Sequence, residues 1–203
     1  MVAFAATRWP GLLPKNFSAA YALVFCAGVY FAGRMAWWLP LGTLLLTDVA
    51  LNCYYDSPDC PVWNAKTLVY QSFGYVAFIA MIWLGRRFKP RSSFGSLLGG
   101  GALGALLFYL ITNTASWLFN PFGNPEYTKD FFGWLTALTT GTKNWPQTWE
   151  FLRNTLLSGG LFTGLFAGSM KLTASESARE KEAPEPAGEE EPAPDVEPEE
   201  VRP

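Results

Sequence analysis

Five apolar runs, divided by short polar links, constrain this chain more than any other feature. They extend from Phe17 to Gly33, Met35 to Asn52, Leu68 to Leu84, Phe94 to Phe119 and Asn154 to Met170. A helix rises about 1.5 Å per residue and the hydrocarbon core of a bilayer is about 30 Å thick, so runs of this length are read as membrane spans. Half of the 203 residues are hydrophobic, and aromatic residues are as frequent as charged ones. The expected fold is therefore an all-α membrane protein, a bundle of about five transmembrane helices.

The links set the expected topology. Arg86, Arg87, Lys89 and Arg91 crowd the link after the third run, and short cytoplasmic links are enriched in Lys and Arg. With that link inside, five spans place the N-terminus outside and the C-terminal tail in the cytoplasm. Residues 1–16 form a lead-in too interrupted to span, and residues 17–171 the helical domain. From Tyr127 to Gly141, Phe131, Phe132, Trp134, Leu135 and Leu138 recur at helical spacing in a stretch too short to cross, which predicts a short amphipathic outer helix.

Charge divides the chain unevenly. Residues 1–171 carry 12 basic and 6 acidic side chains, net +6, whereas residues 172–203 carry 3 and 11, net −8. The tail is rich in Pro, Glu and Ala with almost nothing to bury, so it is expected to be disordered. The chain has no histidine. That removes the commonest general base and transition-metal ligand, and no phosphate-cradling glycine loop is present, so neither an enzyme nor a cofactor is expected. The basic link is too short for nucleic acid and suits anionic lipid headgroups. Cys53 and Cys60 flank the loop from Tyr54 to Asp59 and can form a disulfide if it faces an oxidising compartment.

Polar residues inside the runs carry the functional expectation. Asp48 is the one acidic residue within the other runs, and Arg153 and Asn154 stand at the mouth of the last. Ionisable groups at membrane depth are costly unless paired or wetted. Arg153 falls on the same wheel face as Gly160, Gly164 and Gly168, which predicts that it points toward a neighbouring helix. Tyr109, Asn113, Ser116 and Trp117 form one stripe on the fourth run. Asp48, Asn113, Arg153 and Asn154 are thus expected to meet in a small-molecule pocket near the outer face, walled by Tyr109 and Trp117. A purely structural Asp48 to Arg153 ion pair is the competing reading.

The order of these features resembles an uncharacterised group of bacterial membrane proteins that is similar to the substrate-binding S components of energy-coupling-factor (ECF) transporters. The likeness rests on Pro14-Lys15-Asn16-Phe17-Ser18, Leu46-Thr47-Asp48, Leu84-Gly85-Arg86-Arg87, Thr112-Asn113 and Phe151-Leu152-Arg153-Asn154-Thr155-Leu156-Leu157. It implies a solute-binding and uptake subunit with Asn16, Asp48, Asn113, Arg153 and Asn154 at recurring polar positions, docked on a membrane scaffold subunit that couples to ATPases. Where that pattern ends its last span's motif in Leu-Leu-Gly-Asp, this chain has Leu156-Leu157-Ser158-Gly159. The pattern also begins with one more apolar helix. Either residues 1–16 are the remnant of a truncated first helix, or this chain has five spans where an S component has six. The alternative function is a non-transporting structural subunit of a membrane assembly.

Overall fold

Cβ-less residues decide the centre of this bundle. A Cβ at Gly28 would collide with the main chain at Ile82, and one at Gly85 with the main chain at Phe25, so two helices cross here backbone against backbone. In the computed structural model, which describes residues 1–56 and 62–182 (side chains to 175), these helices are α2 (Ala20–Tyr30) and α4 (Ala65–Gly85). The other helices are α1 (Val2–Ala6), α3 (Met35–Tyr55), α5 (Phe94–Phe119), α6 (Phe131–Leu138) and α7 (Thr148–Glu182). No strand occurs among the described residues. Met1–Met170 form one compact unit, and residues 171–182 belong to the remainder of α7.

The first apolar run is shorter as a helix than expected. A positive φ at Asn16 precedes it, and an extended Phe31 and a positive φ at Gly33 end its helix, which has 11 residues. That is about 16 Å of helix, too little to cross a bilayer core. Nine of the 11 are buried, among them Tyr21, Phe25 and Cys26, so α2 is an enclosed axial helix. Among the described residues, α4 and α5 are the two helices long and apolar enough to cross a membrane.

Local chemistry explains where the long helices begin and end. Asn64, Ser93 and Asp130 sit at the N-termini of α4, α5 and α6, and each side chain accepts a main-chain N–H three residues on. Asn120 stops α5 with φ +40°, and its amide bonds twice to the main chain of Asn124. Helix α3 buries Ala36, Pro40, Leu44, Asp48 and Asn52, a stripe at four-residue spacing.

The glycines of α5 and α7 divide by face. Gly100 rests on the Phe25 and Phe88 rings and Gly101 on Thr163, whereas Gly95 and Gly99 face open space. On α7, Thr155, Ser158, Thr163 and Ala167 are buried, Gly160 faces open space and Leu157 is exposed. Gly164 and Gly168 lie beside Leu98 and Phe94 of α5, so the expected side meets a neighbouring helix at that end, but Arg153 and Leu157 are exposed and the expectation that the arginine points toward a neighbouring helix is corrected. Small hydroxyl residues pack closer than leucine, and Ser158 bonds its own helix at Thr155, so the hydroxyl face turns inward.

Candidate functional site

Asp48 lies on the buried stripe of α3, 8% exposed, and its partner is Arg8. Arg8 Nη2 donates to Asp48 Oδ1 at 2.5 Å, and the guanidinium carbon stands 5.9 Å from the centre of the Phe4 ring. The Tyr75 phenol of α4 faces the same carboxylate, and Tyr21 of α2 lies within the field of Arg8 and beside Thr155. One turn beyond Asp48, Asn52 and Gln71 exchange two amide hydrogen bonds, at 3.2 and 2.6 Å. Four segments thus bring one ion pair, one amide pair and two phenols together.

The chain places Arg8 there by packing the segment that precedes it. Phe4 is fully buried and meets Phe78 edge-on at 6.1 Å. Thr7 Oγ1 shares a hydrogen bond with Ser18 Oγ at 3.1 Å and accepts from the Ala19 N–H at 3.0 Å. These contacts hold residues 1–8 against the start of α2.

The residues expected to surround a ligand separate into three groups. Asp48 belongs to the Arg8 cluster. Arg153 is exposed, with its guanidinium 5.6 Å from the centre of the Trp149 ring and its Nε 3.4 Å from Asn154 Oδ1. Asn154 donates to the Lys15 carbonyl at 2.9 Å, and Asn16, in the same turn, is exposed with φ +58°. The third group is the α5 stripe, which holds down the segment after α5. Tyr109 donates to the Leu138 carbonyl, Asn113 to the Tyr109 carbonyl of its own helix, and Trp117 Nε1 to the Thr128 carbonyl.

The expected Asp48 to Arg153 pair is therefore replaced by Asp48 to Arg8. The sequence does contain a signal for it: Arg8 is the sole charged side chain before Lys15. Its segment is too short to span, which hides its reach across 40 positions to α3. Cys53 is exposed at the end of α3, and Cys60 lies outside the described residues. Among the described residues no three His, Cys, Asp or Glu side chains gather as a metal site.

Two surface clefts lie away from the ion pair. One, of about 380 Å³, is lined by Trp117, Lys129, Asp130, Phe131 and Trp134 at the end of α5. The other, of about 250 Å³, is an apolar groove with Ala3, Ala19 and Leu23 on one side and Phe162 and Phe166 on the other. Near the first, carboxylates are held ionised. Asp130 lies below the ordinary aspartate range because the Gly133 N–H and then the Thr128 hydroxyl bond to it. Glu126 is lowered by its own main-chain N–H and then that of Lys143.

No curated protein and no solved structure matches this chain. Nothing in these comparisons links it to the S components of ECF transporters. A family model does match, over residues 1–183, and the chain accordingly belongs to a family of unknown function, DUF6580.

Proposed function

We propose that this protein is an integral membrane subunit that binds a small polar solute at the Arg8, Asp48 and Tyr75 cluster, in the manner of an ECF S component. The observation that carries the reading is the buried ion pair. Among the described residues it engages one N–H group of Arg8, whose side chain keeps 20% of its surface open, so further donors remain for a ligand. Asp48 and Tyr75 add acceptors and a hydroxyl, and the Trp9 to Tyr54 ring pair, 5.3 Å between centres, provides a neighbouring aromatic wall. Ionisable groups inside a membrane domain mark ligand or ion sites by default.

Support for embedding comes from the distribution of side chains. On α3 the polar Asp48 and Asn52 point inward while Leu46 is 73% exposed, and Val76, Ile79, Leu103 and Leu165 are also exposed. Water would strongly disfavour that arrangement, and hydrocarbon favours it. In this reading the cluster opens toward the outer face, the tail is cytoplasmic, and a scaffold subunit with its ATPases supplies the energy for uptake. The protein itself is a carrier and not a catalyst.

The test is a thermal-shift screen of the full chain in nanodiscs against small solutes that pair a carboxylate or amide with a flat ring. A ligand raises the melting temperature by mass action, and Arg8→Lys and Asp48→Asn remove the rise. A saturable rise untouched by both substitutions puts the site elsewhere. The mutual satisfaction of Asn52 and Gln71 favours a second reading, a structural subunit whose polar pairs lock helices together. That reading is selected if the protein co-purifies with a larger membrane assembly and no solute shifts it.

A further inference from the structure

We propose that the cleft at the end of α5 is a binding site for a zwitterionic phospholipid headgroup, with Lys129 taking the phosphate and Asp130 the ammonium. Its position follows from the helix that carries it. Helix α5 is one of the two helices long and apolar enough to cross a bilayer, so its last turn marks the depth at which lipid phosphates lie. Trp117 and Trp134 line the cleft, and tryptophan favours that depth.

The apolar side chains around the cleft need hydrocarbon. Phe119, Phe131 and Phe132 are exposed by 63, 64 and 75%, and Leu118 and Leu135 are exposed beside them. These flanks suit the glycerol and upper acyl region of a lipid whose headgroup occupies the cleft.

The charges choose the headgroup. Lys129 Nζ donates to the main-chain oxygens of Trp117 and Leu118, both at 2.6 Å, and sits 5.6 Å from the centre of the Trp117 ring. An ammonium has three N–H groups, so one remains for a phosphate oxygen. Asp130 accepts from the Gly133 N–H at 2.7 Å and the Thr128 hydroxyl at 3.0 Å, and these bonds keep it ionised while its side chain stays exposed. A purely anionic headgroup meets Lys129 favourably and Asp130 unfavourably. A zwitterion satisfies both, and its cationic end also meets the aromatic faces of the cleft.

Native mass spectrometry of the full chain, released from detergent with dihexanoyl phosphatidylcholine or dihexanoyl phosphatidylglycerol at equal concentration, tests the assignment. The expected result is retention of phosphatidylcholine over phosphatidylglycerol by on the order of tenfold, the scale of one ion pair with an exposed carboxylate together with a cation–π contact, since the quaternary ammonium has no N–H to donate. Lys129→Gln abolishes that retention and Lys129→Arg preserves it. Asp130→Asn, which still caps α6, removes the preference between the two lipids. Equal retention of the two lipids by the wild type, preference for the glycerol lipid, or a phosphatidylcholine signal unchanged in Lys129→Gln and Asp130→Asn overturns the proposal.

Discussion

Separating Arg8 from Asp48 tests whether the N-terminal segment is part of the core. Both side chains are well under a third exposed, at 20 and 11%, so solvent screens the pair only in part. Removing one partner from such a pair costs about 3–5 kcal/mol, because the other charge stays buried without compensation. A guanidinium left without its partner cannot neutralise itself by shedding a proton. Asp48→Leu is accordingly expected to cost about 3–5 kcal/mol, and Arg8→Met about 3 kcal/mol. Replacing both by apolar groups removes the cost of burying charge, so Arg8→Met with Asp48→Leu lies within about 1 kcal/mol of the wild type. The assay is equilibrium unfolding of the full chain in mixed micelles, followed by tryptophan emission and analysed as a double-mutant cycle. If the two single effects sum in the double variant to within about 0.5 kcal/mol, the residues are not coupled and the pairing is refuted.

The same assay serves the next two predictions. Arg153→Gln changes stability by less than about 0.5 kcal/mol because the side chain is exposed, while Asn154→Ala loses the bond to the Lys15 carbonyl and about 1 kcal/mol. Gly28→Ala destabilises by at least about 2 kcal/mol, since its Cβ meets the main chain of α4, but Gly99→Ala, which faces open space inside α5, is neutral or stabilising by up to about 1 kcal/mol. Asp130 contributes stability that is complete above the ordinary aspartate value of 3.8 and is lost as the pH falls through its lower folded value. Hydrogen exchange of the α6 amides checks this. Protection declines below that pH in the wild type, and Asp130→Ala removes this step.

Individual residues show where sequence reasoning reached and where it stopped. The run from Phe94 to Phe119 is helical over its whole length, because its composition is apolar, Ser93 caps one end and Asn120 breaks the other. The α6 helix lies inside the amphipathic stretch predicted from its spacing. The first run is helical over only Ala20–Tyr30, because periodicity does not reveal that Phe31 is extended and that Asn16 and Gly33 take positive φ. The exposure of Arg153 was not legible because glycine is compatible with either a helix contact, as at Gly164, or an open face, as at Gly160, and the fit of Thr163 to Gly101 sets the rotation of α7.

The sequence alone determined the all-helical class, the length of α5, and the position of Asp48 as a charge within an apolar run. Those properties depend on local composition and on terminating residues a few positions away. The tertiary structure decided which partner Asp48 takes, which faces of α3 and α7 turn inward, and that Tyr109, Asn113 and Trp117 bond to main chain. A cation from a short N-terminal segment or one from a distant helix would neutralise Asp48 equally well on paper. Only the burial of Phe4 against Phe78 and the bonds of Thr7 to the start of α2 bring Arg8 within reach.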